Sequence, residues 1–171
     1  MTRPTLAPAV LAKGQVSDRQ FRDAFAQLPS GVSILTTYGS DGPCGMTASA
    51  VCSLSQDPPL ALAALANDSQ TLARIRAHGA FGINVLRDRH APVAAAFARP
   101  TPHPAARFNG LPYDPVASVP ILRAALSWLA CEVTDLHPGG DHTIVTGLVR
   151  AAGHGTGSPL VWHARHFTSA R

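Results

Sequence analysis

The spacing of apolar and polar residues predicts short strands along most of the chain, with a few helices between them. Phe21 and Phe25 stand four residues apart on one helix face, and Ser17 or Asp18 is suited to cap that helix. Segments with helical spacing cover residues 17–26, 69–78 and 89–98. Runs rich in β-branched, small or aromatic residues, bounded by Gly, Pro or Asp, predict strands at 32–38, 46–55, 60–65, 80–86, 126–136, 142–152 and 160–167.

The order of these elements favours an antiparallel sheet. The last three predicted strands follow one another without a helix, and Gly139-Gly140 forms a turn between the first two. Residues 99–120 carry six prolines and predict a long loop. Residues 1–16, rich in Pro and Ala, predict a flexible N-terminal arm, and 17–171 predict one folded domain. The fold class is therefore mainly β with a few helices, in a partly closed barrel.

Composition excludes several classes of protein. Hydrophobic residues make up 46% and charged residues 14% of the chain, which argues against disorder. No apolar run is long enough to span a membrane and no secretion signal is recognisable, so the cytoplasm is the expected location. The net charge is +4, yet Lys13 is the single lysine and the arginines are scattered. This pattern suits a small anionic ligand better than nucleic acid.

Cysteines and histidines give no sign of a metal site. Cys44, Cys52 and Cys131 are odd in number and widely spaced, which predicts free, packed thiols rather than disulfides or a zinc site. His163 and His166 lack the Cys or carboxylate neighbours that a metal needs. We therefore expect no metal.

Four hydroxyl side chains of the predicted strand 46–55 share one parity. Thr47, Ser49, Ser53 and Ser55 would project from a single face of that strand. Such a face can hydrogen-bond a flat heterocycle without adding charge. A solvated outer strand face explains the same pattern, and both interpretations stay open.

Two further segments have both a functional and a structural interpretation. Asn67 and the residues Ser69, Gln70 and Thr71 lead into a helix, where free N–H groups can bind an anion or where Ser69 acts only as a cap. The pair Asp141-His142 begins a strand. His142 either lies over a cofactor or belongs to an ordinary turn.

Taken in order, seven segments resemble the short-chain flavin reductase family, the reductase partners of two-component flavin monooxygenases. The resemblance runs from about Phe21 to Phe167. Its segments are Phe21-Arg22-x-Ala24, Pro29-Ser30-Gly31-Val32, Gly45-Met46-Thr47-Ala48-Ser49, Ser53-Leu54-Ser55-Gln56-Asp57-Pro58-Pro59-Leu60, Ser69-x-Thr71, Phe81-Gly82-Ile83-Asn84-Val85-Leu86 and Gly140-Asp141-His142. The chain departs from the family pattern at Ala50, where Ser is common, and at Val51, where Phe is common. No basic residue of the family pattern is evident ahead of Arg107-Phe108.

The resemblance implies an antiparallel Greek-key split β-barrel that binds FMN (or FAD), forms a homodimer and takes hydride from NADH or NADPH. Reduced flavin would then supply a separate monooxygenase. The residues expected to hold the isoalloxazine edge and ribityl chain are Met46, Thr47, Ala48, Ser49, Ser53, Leu54 and Ser55. Those expected at the phosphate are Asn67, Ser69, Gln70 and Thr71, while Asp141 and the catalytic His142 would lie near the flavin and nicotinamide.

Two other functions remain open at this point. A flavin- or haem-binding carrier or sensor of the same fold would bind its ligand without turnover. A basic nucleic-acid-binding barrel would use the net positive charge instead.

Overall fold

The computed structural model describes residues 16–170, so the predicted arm at 1–16 lies almost wholly outside the described residues. Strands dominate the described range, and three α-helices and two 3-10 turns (Asp88–His90, Pro104–Phe108) stand between them. The helices are α1 (Asp18–Phe25), α2 (Gln70–His78) and α3 (Ala91–Ala98). The strands are β1 (Ser30–Gly31), β2 (Ser33–Gly39), β3 (Gly42–Ala48), β4 (Val51–Gln56), β5 (Pro59–Ala66), β6 (Ala80–Val85), β7 (Tyr113–Val116), β8 (Val119–Leu122), β9 (Ser127–Gly139), β10 (His142–His154), β11 (Leu160–His163) and β12 (His166–Ser169).

A seven-stranded sheet organises the molecule, in the order β3-β2-β6-β9-β10-β5-β4. Every neighbouring pair in it is antiparallel, which confirms the mainly β, antiparallel prediction. The two edge strands, β3 and β4, are consecutive in the chain and are joined by Ser49-Ala50 alone. In a flat sheet these edges would lie about 29 Å apart, since strands are spaced by about 4.8 Å. Three Cα steps reach at most about 11 Å, so the sheet curves until its edges are close.

The break between β3 and β4 corrects the prediction of one strand over 46–55. β3 pairs with β2, whereas β4 pairs with β5. At the break the Ala50 carbonyl accepts a hydrogen bond of 2.9 Å from the Ala64 amide. Thr47 and Ser53 therefore lie on opposite edge strands of the sheet. The prediction that the four hydroxyls share one face of a single strand was wrong. Alternation along a strand reports which side chains share a face but not where the strand changes its partner.

Two other segments differ in structure from their predictions. Residues 99–120 hold a 3-10 turn and most of the β7–β8 hairpin rather than a plain loop. Pro115 and Pro120 face each other in that two-stranded sheet, and prolines are tolerated on edge strands. The predicted strand 160–167 is the β11–β12 hairpin, whose turn residues Ala164 and Arg165 have φ values of 48° and 65°.

The helices agree with the capping signals of the sequence. Ser17 forms a capping box with Gln20 at the start of α1. Ser69 caps α2, and Gly79 ends it with a left-handed φ of 77°. The segment 89–98 divides into the first 3-10 turn and α3. The local signals were therefore sufficient for these elements.

Two apolar clusters form most of the core. One contains Leu35, Phe81 and Val145 from the large sheet, closed by Leu72 and Ile75 of α2. The other lies between β2, α3 and the C-terminal hairpin. No helix within 16–170 has the length and apolar character needed to cross a membrane.

The three cysteines are free thiols, as predicted, but their burial differs. Cys44 and Cys131 are buried, whereas Cys52 is exposed, so the expectation of packing holds for only two of them. Burial raises the pKa of the Cys131 thiol to about 12. That thiol therefore stays protonated at neutral pH and packs as a small apolar group.

Candidate active site

A cavity of about 550 Å³ opens beside the C-terminal half of β3. This volume lies within the usual range for small-molecule sites. Its walls come from the end of β3, the start of α2, the segment after α3 and the β11–β12 hairpin. The lining residues are Val32, Cys44, Met46, Thr47, Ala48, Ser49, Ala66, Asp68, Ser69, Gln70, Thr71, Phe97, Ala98, Arg99, Pro100, Thr101, Pro104, Arg107, Trp162 and Phe167.

Side chains at the end of β3 form hydrogen bonds with α3 and with the start of α2. The Thr47 hydroxyl donates to the Ala94 carbonyl of α3 at 2.7 Å. The Ser69 hydroxyl, at the start of α2, donates to the Met46 sulfur at 3.1 Å. The Ser49 hydroxyl has no hydrogen-bond partner among the described residues. Thr47 and Met46 therefore shape the cavity, while Ser49 can still bond a ligand.

The first turn of α2 supplies free backbone donors to the cavity. Ser69 accepts from the Leu72 amide at 3.4 Å and so caps one of the unpaired N–H groups. The amides of Gln70 and Thr71 belong to the turn whose N–H groups have no acceptor within the helix, and both residues line the cavity. The positive end of the helix dipole therefore favours a negatively charged group here.

Arg107 adds a cation to the same part of the cavity. Its Nη1 donates to the Gly45 carbonyl at 2.9 Å, and its guanidinium lies 5.7 Å from the centre of the Phe97 ring. It forms no ion pair with any carboxylate of the described residues. Desolvation lowers the pKa of Arg107 from its ordinary value. A half-buried cation without a counterion is stabilised by an anionic ligand.

Two aromatic side chains of the C-terminal hairpin also line the cavity. The rings of Trp162 and Phe167 meet edge to face, with centroids 4.9 Å apart and planes at 65°. Trp162 retains 36% of its surface exposed. We call these two residues the aromatic wall.

The structure brings most of the predicted β3 and α2 residues together and leaves three others apart. Met46, Thr47, Ala48 and Ser49 line the cavity, as do Ser69, Gln70 and Thr71. Ser53, Leu54 and Ser55 lie on β4 and do not line it.

Asn67 also lies outside the cavity lining, where it ties β5 to β10. Its Nδ2 donates to the Gly140 carbonyl at 3.1 Å. Its Oδ1 accepts from the Thr143 hydroxyl at 2.8 Å. Asn67 thus holds the β9–β10 turn against the strand that leads to α2.

Asp141 and His142 lie at that turn, one strand away from the cavity. His142 pairs in register with Ala66, which lines the cavity. Its Nδ1 lies 2.7 Å from the Asp141 carboxylate, and about half of the imidazole is exposed. The hydrogen bond and charge of His142 lower the pKa of the Asp141 carboxyl. The carboxylate orients the ring, so that Nε2 remains available to a second molecule.

Comparison with known proteins identifies the family of the chain. A family model described as a flavin reductase like domain matches residues 25–171. The chain belongs to this flavin reductase family. It is 37% identical over 170 residues to the flavin reductase (NADH) of Kitasatospora aureofaciens, with 96% of this chain and 87% of that protein covered.

Two other proteins are similar to this chain. A reductase subunit of a flavin-dependent monooxygenase from Mycobacterium tuberculosis is 33% identical, with 80% of this chain and 72% of that protein covered. An NADH:FAD oxidoreductase of Streptomyces globisporus, solved in complex with NAD and FAD fragments, has a TM-score of 0.81 and 30% identity. The match covers 88% of this chain and 92% of that chain.

The sequence alone does not predict the cation or the aromatic wall of this cavity. The sequence places Arg107 beside Phe108 but carries no local sign that its side chain reaches a cavity. Trp162 and Phe167 gave no signal beyond being aromatic. The Arg107 side chain meets Gly45 across 62 residues of chain, so its position depends on tertiary contacts. Within residues 16–170 no group of three metal-ligating side chains is present.

Proposed function

We propose that this protein reduces flavin with NADH as the electron donor. The observation that carries the proposal is the cavity itself, which has anion-binding groups at the start of α2 and at Arg107, and neutral groups at the end of β3. A flavin nucleotide has the same distribution, with a phosphate at one end and an uncharged ring at the other. The NADH-dependent relatives support the choice of donor.

The α2 start and Arg107 form the proposed phosphate end. The amides of Gln70 and Thr71 would donate to phosphate oxygens. One of the five N–H bonds of Arg107 is used by the Gly45 carbonyl, which leaves donors for a charge-assisted contact. The residues present therefore fit a phosphorylated flavin.

The end of β3 forms the proposed ring end. Ser49 has a free hydroxyl there, while the hydroxyl proton of Thr47 is committed to Ala94. Backbone groups from Thr47 to Ser49 can bond the heteroatoms of a flat ring without adding charge. Bound flavin supplies the hydride-accepting centre, so the chain has to bind and orient two ring systems rather than provide a nucleophile.

The proposed activity is tested by following NADH at 340 nm with the purified protein. FMN and FAD are each added in large excess over protein. We expect flavin to accelerate NADH oxidation many-fold and each protein molecule to turn over many flavin molecules. NADH loss that is independent of flavin would refute the proposal.

We propose His142 as the residue that orients the nicotinamide at the rim. His142→Ala is expected to lower kcat/KM for NADH roughly tenfold, the value of one lost charge-assisted hydrogen bond. The dissociation constant for flavin should change less than about twofold, because His142 does not line the cavity. Steady-state kinetics and flavin titration measure the two quantities.

The matched control is His137→Ala, one strand further away on β9. His137 is exposed and pairs with Ile144, so both constants should stay at their wild-type values. Equal losses of NADH efficiency and flavin affinity in His142→Ala would make His142 a structural residue instead.

We further propose that the curved sheet is a Greek-key split barrel and that the protein forms a homodimer. Ser53 to Ser55 would then meet the flavin of the second copy, since they lie outside the cavity of their own chain. Exposed Leu54 and Leu136 offer apolar surface on the sheet. Light scattering on the eluting protein should give twice the chain mass, and a monomer at micromolar concentration would contradict the dimer.

We also propose that reduced flavin is delivered to a separate monooxygenase. The monooxygenase reductase subunit of Mycobacterium tuberculosis supports this role. Flavin has to leave the cavity for such delivery, and the cavity is open at its rim. Without oxygen, each NADH oxidised reduces one flavin, so anaerobic oxidation of many NADH molecules per protein molecule tests the exchange directly.

A further inference from the structure

The aromatic wall is not used by any contact proposed so far. Trp162 and Phe167 both line the cavity, and about a third of the tryptophan surface stays exposed. Within the described range its indole N–H has no acceptor. Large aromatic side chains that remain open beside a cavity provide contact area for a flat ligand.

The register of the strands assigns the wall to one end of the cavity. Trp162 lies opposite Ser30 in the β1–β11 pair. Ser33 lies opposite Ala48 in the β2–β3 pair, which brings the start of β2 beside Ser49. The wall therefore lies at the Ser49 end of β3.

The anion-binding groups, Arg107 and the first turn of α2, lie at the other end of the same strand. Arg107 bonds the Gly45 carbonyl, and the Thr71 hydroxyl lies 3.5 Å from the Cys44 sulfur. Residues 44 and 49 are about 17 Å apart along an extended strand. The cavity thus has a cationic end and an aromatic end, separated by most of the length of β3.

The wall is fixed to the rest of the fold at both ends of its hairpin. The Ala164 amide in the hairpin turn donates to the Ala26 carbonyl at 2.7 Å, and Arg165 forms an ion pair with Asp23 of α1. The buried Leu160 bonds the Leu86 carbonyl through its amide at 2.9 Å. A wall held in this way does not have to be ordered when the ligand binds, which favours affinity.

We infer that Trp162, supported by Phe167, is the aromatic contact of the flavin ring and sets affinity for the isoalloxazine. The inference rests on the proposed flavin site. The adenine of FAD is attached beyond the phosphates, so it lies on the far side of the cationic end from Trp162. The wall therefore acts on the part that riboflavin, FMN and FAD share.

The test compares dissociation constants for oxidised riboflavin, FMN and FAD, measured by calorimetry without NADH. Trp162→Leu keeps an apolar side chain but removes the π face. It should weaken binding of all three flavins by a similar factor, about tenfold, the usual size of a ring-stacking contact. Trp162→Phe should restore most of the lost affinity.

The matched control is Trp128→Phe, which changes the other tryptophan of the chain. Trp128 is half-buried on β9 and does not line the cavity, so the three dissociation constants should remain at wild-type values. Melting curves identify any variant that is not folded. If Trp162→Leu is not folded, Phe167→Leu replaces it in the test. Phe167→Leu should weaken binding of all three flavins about threefold, since it removes one edge contact.

Three results would overturn the inference. A loss confined to FAD would mean that Trp162 meets the adenine. Unchanged affinity for every flavin in a folded Trp162→Leu protein would leave Trp162 a packing residue, although the proposed function would stand. A wild-type protein that binds none of the three flavins would refute both the function and the inference.

Discussion

Replacing Arg107 by Ala is expected to weaken FMN binding by about 10- to 100-fold and to leave riboflavin binding nearly unchanged. A hydrogen bond to a charged group contributes about 1.5–3 kcal/mol, and riboflavin has no phosphate to lose that contact. Arg107 faces the cavity without a carboxylate partner among residues 16–170. Calorimetric titration with the two flavins measures the difference directly.

Two variants control for charge and for folding in the Arg107 experiment. Arg107→Lys keeps the positive charge but not the planar donor geometry, so its affinity for FMN should lie between those of the wild type and Arg107→Ala. Arg89→Ala removes an exposed arginine that does not line the cavity and should bind both flavins normally. If Arg107→Ala weakened riboflavin as much as FMN, the side chain would support the cavity shape rather than bind phosphate.

Replacing Asn84 by Leu is expected to lower the free energy of unfolding by about 3–5 kcal/mol. Asn84 is fully buried on β6 and joins three elements. Its Nδ2 donates to the Ile34 carbonyl and the Thr36 hydroxyl, both at 3.1 Å. Its Oδ1 accepts from the Leu122 amide at 2.7 Å. Leucine has similar size but leaves these buried groups unpaired, at about 1–3 kcal/mol each.

Urea denaturation provides the measurement for Asn84. The midpoint should fall while the slope stays the same, because the amount of surface exposed on unfolding does not change. The control is Asn109→Ala, which alters an exposed asparagine and should stay within about 0.5 kcal/mol of wild type. A loss below about 1 kcal/mol in Asn84→Leu would mean that the network is replaceable by apolar packing.

The parts of the fold that depend on neighbouring residues were predictable from the sequence. Ser69 and Gly79 mark the two ends of α2, and the structure has both caps. The run of β-branched and small residues after the Gly139-Gly140 turn likewise predicted the start of β10 at His142 and most of its length. In each case the physical cause lies within a few residues of the signal.

The parts that depend on distant partners were not predictable. The break at Ser49-Ala50 exists because β3 and β4 pair with different strands, and no local pattern encodes that choice. The sequence did not predict the β7–β8 hairpin, because its prolines indicated a loop. A pair of edge strands tolerates prolines.

The candidate site divides in the same way. Met46 to Ser49 and Ser69 to Thr71 are two short segments with chemical signals of their own, and both line the cavity. Arg107 and Trp162 join them only through the tertiary fold. The cation and the aromatic wall therefore became visible only when the contacts across the chain were known.

The two-residue link at Ser49-Ala50 has a consequence for motion. One short stretch of backbone both borders the cavity and connects the first and last strands of the large sheet. Fraying of β4 would pull on Ser49, and a ligand held at Ser49 would resist that fraying. Occupancy of the cavity is thereby coupled to the stability of the curved sheet. A bound ligand stabilises the sheet against opening, and an intact sheet favours binding of the ligand.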